Sequence, residues 1–259
     1  MWLFGLRRSA GAYGIGLDAR QHHAGDVNGI LEPETFLFQP LQHGHVRHRA
    51  LVFGRDTGVD ILMAAAQGGD PGLKLIIRDA APTVLQEELL EGRHDLIPAQ
   101  LPLHSGDIAV ERLFREPLKL VVAQDHPLAV KDMARDEDLT GQDILALPRG
   151  YPLHAQMVAL CEEVGAQLRQ DYEGSSLDAL RQMTALNMGI CFLPALYVQS
   201  EVAPETGDVA ILSFRRDRFL RSVGVAWRRR SAHGPMVEQI VRVIRDVARD
   251  RFAGLVRLE

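Results

Sequence analysis

The stretch GLKLIIRDAAPTVLQEELLEGRHDLI, from Gly72 to Ile97, constrains the fold of this chain most. It joins an apolar strand (Leu73–Ile77), a helix opened by Pro82, a glycine at position 92 and a second apolar run that begins at Asp95. Pro82 suits a first helical turn, because the N–H it lacks is one the helix leaves unbonded anyway. Leu85 and Leu89 share a helix face, and Gly92 suits the position just past a helix end. Strands that alternate with helices over short links imply a mostly parallel sheet covered on both faces.

The alternation continues along the chain. Ala50–Phe53 reads as a strand and Val59–Gln67 as a helix. Ile108–Leu113 and Leu118–Ala123 read as two strands, and the polar run QDHPLAVKDMARDEDL as a passage between lobes. Asp143–Leu147 is expected to be a strand, followed by a helix with Leu153, Met157, Leu160 and Val164 on one face. Gln170–Glu173 is short and extended. Ser175–Met188 reads as a helix, then Ile190–Val198, Val209–Phe214 and Ser222–Trp227 as strands. The last helix carries Val237, Ile240, Val241, Ile244 and Val247 on a single apolar stripe.

The chain has 259 residues, 46% hydrophobic, which is enough for a large core divided into two lobes. A net charge of −5 gives no global attraction to nucleic acid or to an anionic membrane. Arg215-Arg216 and Arg228-Arg229-Arg230 read as solvated charges flanking strands, and Glu87, Glu88 and Glu91 as a solvated helix face. Two cysteines, Cys161 and Cys191, form no disulfide framework and read as small buried hydrophobes in a reducing compartment. Arginines break up the first apolar residues, so the N-terminus is a poor signal peptide, and no run approaches the roughly 20 apolar residues of a membrane span. A cytoplasmic protein is expected. His22, His23, His43, His45 and His48 fit no metal-ligand spacing, and residues 1–45 read as an irregular arm. No cofactor, metal or catalytic residue is expected.

Four fragments together resemble the effector-binding domain of LysR-type transcriptional regulators. They are PGLKLIIRDAAPTVLQEELLEGRHDLI, VERLFREPLKLVVAQDHPLA, YEGSSLDALRQMTALNMGICFLPALYV and VGVAWRRRS. The likeness runs from about Leu41 to Phe252 and is nearest the branch that includes peroxide-sensing activators. It implies an α/β, two-lobed, type 2 periplasmic-binding-protein-like fold with two crossover strands. Lobe one would comprise 46–123 plus 215–259, and lobe two 124–214. A strand–helix–strand unit without catalytic side chains then serves to present strand ends and helix N-termini to a small ligand.

Three features depart from the family. Its N-terminal winged helix-turn-helix is not found, so DNA would be reached only through a module absent from this chain. Pro152 stands nine residues before Cys161, where the peroxide-sensing branch has its reactive cysteine. Pro98 interrupts the strand in HDLIPAQLP.

The resemblance places a small, anionic effector between Thr57 and Gln100 on one lobe and Arg149, Ser175, Ser176 and Pro194 on the other. Ser175 and Asp178 also have capping-box spacing, so a serine here either caps the helix or faces the cleft with its hydroxyl. Thr57 is open to the same two readings, and Arg149 either pairs with an anion or is solvated. Self-association as a homodimer or tetramer is implied, through Pro82–Glu91 with Val84, Leu85 and Leu89 offering apolar surface. A solute-binding protein of a transporter, or an enzyme on the same bilobal fold, remains the alternative.

Overall fold

The computed structural model describes residues 80–259, apart from 104, 170–175, 203–206, 218 and 232–233. The expected strands Ala50–Phe53 and Leu73–Ile77, the helix Val59–Gln67, the histidines near the N-terminus and the extended segment Gln170–Glu173 lie outside the described residues.

Helix α1 (Pro82–Leu90) starts at its proline and leads to β1 (Ile97–Leu101). Leu85 and Leu89 are buried against Ile97, Ile108 and Ala226, so the apolar surface this helix exposes is Val84 and Leu90 instead. Glu88 is not solvated either. It is 3% exposed, and its carboxylate meets His94 Nε2 at 2.6 Å. Pro98 does not interrupt β1, whose pairing with a later strand runs through all five residues. A proline is tolerated where its nitrogen points away from the ladder.

Strand β2 (Ile108–Ala123) is one continuous strand of 16 residues where the sequence suggested two. The charged Arg115-Glu116-Pro117 segment that suggested a break stays extended because Glu116 is paired inside the protein. The polar run after β2 is not a passage. It folds into 3₁₀ turns at Pro127–Val130 and Asp136–Leu139 around β3 (Met133–Ala134), and Leu128, Ala134 and Leu139 enter a core.

Next come β4 (Asp143–Leu145), α2 (Pro152–Val164) and β5 (Gln167–Arg169). They are followed by α3 (Leu177–Ala185) and β6 (Ile190–Pro194). Here the expected strand Ile190–Val198 divides. Pro194 ends β6 and serves as the N-cap residue of α4 (Ala195–Glu201). Strands β7 (Val209–Phe214) and β8 (Leu220–Arg228), helix α5 (Gly234–Phe252) and a short β9 (Arg257–Leu258) complete the chain.

The described strands run in the order β1-β8-β2-β6-β4-β5, with β7 and β9 also on β2, and β3 on β7. Pairing is parallel for β4 with β5 and β6 and for β3 with β7, and antiparallel wherever β1, β2, β8 or β9 takes part. The expectation of a mostly parallel sheet therefore fails among the described residues. The cause is β2, which serves two halves of the sheet. Its residues 108–117 pair with β8, and from Leu118 onward it pairs with β6 and β7.

Each half has its own core on two faces. In the first half Val223 and Val225 of β8 face α5, where Val237, Ile240, Val241 and Ile244 are buried, while Ala226 faces α1. In the second half Ile190 and Phe192 of β6 face Met157 and Leu160 of α2, while Cys191 and Leu193 face Leu177 and Leu180 of α3. This is the period-2 alternation of a strand buried on both sides. Phe219 joins Phe192 and Phe214 in an edge-on trio, so the chain packs with the second half up to the start of β8.

Candidate functional site

The loops that leave the carboxyl ends of parallel strands β4, β5 and β6 lead into α2, α3 and α4. Helices that follow parallel strands present their N-termini at that edge of a sheet. Arg149 lies in the β4–α2 connection and is exposed. Ser176 is the N-cap residue of α3, and Pro194 is buried at the end of β6 opposite Leu118. Leu145, the last residue of β4, pairs with Cys191 of β6, which then runs three residues further to Pro194. Three of the six expected residues thus share one edge.

Gln100 lies on the other half of the sheet, near the end of β1 and opposite Val223, and is only 9% exposed. Helix α2 approaches β1, which brings the two halves together on this side. Thr57 and Ser175 lie outside the described residues.

The expected serine cap is not what Ser176 supplies. Its side chain makes no capping hydrogen bond, and neither does that of Tyr151 at the start of α2. The expected capping box of Ser175 with Asp178 lies partly outside the described residues, and Asp178 has another partner. It accepts a hydrogen bond from the Tyr197 hydroxyl of α4 at 2.6 Å. Burial, together with the Asp178 carboxylate, pushes the Tyr197 hydroxyl well above its ordinary range, so it stays protonated and donates. One turn along α3, Arg181 pairs with Asp208 just before β7.

The residues that join the two halves were missed by sequence reasoning. Glu116, on β2, is 0% exposed and stands directly opposite Arg221 of β8, which is 3% exposed. Arg221 donates through Nε at 2.8 Å and through its Nη2 at 2.6 Å. The other Glu116 oxygen accepts the N–H of Leu196 in the first turn of α4 at 3.1 Å. The Leu196 side chain is buried with Phe114, Val223 and Ile244, in the core of the other half. No signal in the text betrays this, since Glu116 reads as an ordinary charged break between two apolar runs.

Among the described residues no group of acidic, histidine or cysteine side chains could hold a metal. Cys161 and Cys191 are buried on opposite faces of the sheet, and burial raises both thiols, Cys191 to about 12. No described helix is long and apolar enough to cross a membrane.

Comparison with known proteins agrees with this geometry. The family model for the LysR substrate binding domain matches residues 61–249. The DNA-binding transcriptional dual regulator OxyR of Escherichia coli is 31% identical over 175 residues, covering 68% of this chain and 57% of that protein. A hydrogen peroxide-inducible genes activator of Pectobacterium carotovorum is 31% identical over 176 residues, covering 68% of this chain and 58% of its own length. The chain therefore spans less than two thirds of these relatives. Among solved structures, the oxidized form of OxyR superposes with a TM-score of 0.70 at 27% identity, over 79% of this chain and 97% of that one. The reduced OxyR regulatory domain of Pseudomonas aeruginosa gives 0.67 at 26% identity, over 77% and 95%. These are two-lobed, periplasmic-binding-protein-like domains, and β2 and the entry to β8 are the two crossovers of that fold here. This chain belongs to the family of LysR substrate-binding domains.

Proposed function

We propose that this chain is the effector-sensing part of a LysR-type transcriptional regulator and works in the cytoplasm. It binds a small, anionic organic molecule between the lobes and performs no chemistry on it. Thr57 and Gln100 would contact the effector from lobe one (46–123 plus 215–259). Arg149, Ser175, Ser176 and Pro194 would contact it from lobe two (124–214). The observation that carries this reading is the edge shared by Ser176, Arg149 and Pro194, in a fold where α2 approaches β1 of the other half. The N-termini of α2 and α3 give that edge a partial positive charge.

A ligand, and not peroxide, is the signal in this reading. Pro152 stands where the peroxide-sensing branch has its reactive cysteine, and the cysteines present are buried. In this reading DNA is reached through a winged helix-turn-helix, and the working assembly is a homodimer or tetramer. Val84 and Leu90 on the outer face of α1 are the apolar surface available for pairing there.

The test is a calorimetric screen of small mono- and dicarboxylates against the whole chain, followed by Ser176→Ala and Thr57→Ala. Each substitution should weaken binding by the worth of a hydrogen bond to a charged group, about 1.5–3 kcal/mol. If both variants bind a verified ligand as tightly as the unsubstituted chain, the effector site lies elsewhere.

A further inference from the structure

Helix α4 belongs to lobe two by sequence, yet its first turn is bonded on both sides of the lobe boundary. Tyr197 donates to Asp178, in the first turn of α3, at 2.6 Å. The preceding residue, Leu196, sends its side chain into the lobe-one core against Phe114, Val223 and Ile244. The N–H of Leu196 is held by Glu116, whose carboxylate is paired with Arg221 where both crossovers pass. Adjacent residues on one short helix therefore touch the opening of α3 and the packing of α5.

We propose that α4 is the coupling element of this domain, a rigid link that transmits displacement of the α3 N-terminus to the lobe-one core through Asp178, Tyr197, Leu196, Glu116 and Arg221. The proposal rests on the reading that Ser176 borders the effector site, since that gives the α3 N-terminus something to report. Packed cores respond to such displacement as units because they deform little. Glu116 matters because a buried carboxylate with both partners in place has one favourable position, so a shift of the Leu196 N–H is felt by β2 and β8 together. Tyr197 and Leu196 act as positioning residues in this scheme, and neither needs to touch the effector.

The experiment requires no effector and is therefore separate from the test of the binding site. Amide hydrogen exchange is followed by mass spectrometry on the whole chain and on Tyr197→Phe, which removes only the hydroxyl. Exchange should quicken about tenfold at Leu177–Ala185, and by a similar factor in Leu220–Arg228 and across residues 237–248 of lobe one. Thr140→Val is the control, since it removes a lobe-two hydrogen bond to the Val164 carbonyl that lies off this path. It should leave lobe one unchanged.

Combining Tyr197→Phe with Leu196→Ala should then accelerate lobe-one exchange no more than Leu196→Ala alone, because both cut one path. Should Leu196→Ala fail to fold, Glu116→Gln takes its place in the cycle. Tyr197→Phe effects confined to α3 and α4, or lobe-one effects that multiply in the double variant, would overturn the proposal.

Discussion

Glu116 and Arg221 face each other across the two strands that pass between the lobes, and both are withdrawn from water. Each ion would be costly alone in that position, so the pair is stable only as a pair. Arg221→Met should destabilise the chain by about 3–5 kcal/mol in urea unfolding, because it leaves the Glu116 carboxylate buried and unpaired. The double variant Glu116→Leu/Arg221→Met should recover part of that loss, since no charge is then left buried alone, although the Leu196 N–H loses its acceptor. A single-variant loss of under about 1 kcal/mol is the size of an exposed pair and would show that solvent reaches this one.

Gly224 lies on β8 beside β2, and a Cβ there would sit 2.7 Å from the Glu111 carbonyl oxygen. That neighbour is backbone in a paired strand and cannot step aside cheaply. Gly224→Ala should cost about 1–3 kcal/mol, the usual size of an overpacking strain. Far-ultraviolet circular dichroism on melting measures it. Gly150, around which a Cβ would meet nothing, provides the matched control, and Gly150→Ala should shift the transition by no more than about 0.5 kcal/mol.

The thiol of Cys191 should make stability fall at alkaline pH. Its folded-state pKa, about 12, lies above the ordinary thiol value of 9.0 because burial disfavours the thiolate. The folded state thus holds its proton more tightly than the unfolded chain does. The contribution is complete below about 9 and is lost as pH rises from there towards 12. Denaturant midpoints measured from pH 8 to 10.5 should decline, and Cys191→Ala should flatten the decline while lowering its starting level.

The same burial should make both cysteines inert in the native state. Iodoacetamide at pH 8 should leave Cys161 and Cys191 unmodified by intact mass over the minutes in which a free thiol reacts, and label both in 6 M guanidinium. Rapid native labelling of either residue would contradict the buried positions. Dilute peroxide should likewise leave the native mass unchanged.

Ile244 of α5 is 1% exposed, in the core that also receives Leu196. Ile244→Ala should cost about 2–5 kcal/mol by cavity formation. Because lobe one then loses packing around Leu196, the protection of α4 amides should fall with it. Loss confined to α5 would separate the two lobes energetically.

The periodic elements were legible in the text for a local reason. Leu153, Met157, Leu160 and Val164 on α2, and Val237, Ile240, Val241 and Ile244 on α5, are buried where their spacing puts them. A helix face is decided within a few residues, and the strand core of Ile190–Leu193 needs only its own apolar run. The candidate site was partly legible for the same reason, since strand ends and helix starts mark the edge where Arg149, Ser176 and Pro194 stand.

Tertiary structure decided whatever depends on a distant partner. Glu116 could not be recognised as buried, because Leu196 and Arg221 lie 80 and 105 residues away. Without them β2 divides at its charges, as the sequence suggested. Asp178 has the spacing of a helix cap, and its bond from the Tyr197 hydroxyl of another helix could not be read from that spacing. The end of β6 at Pro194 follows from the proline and from Glu116 holding the next turn, where the apolar run alone suggested a longer strand. Backbone preference and hydrophobic period act over short stretches of chain. The burial of a charge is favourable only when a partner from elsewhere meets it, and that partner is supplied by the fold.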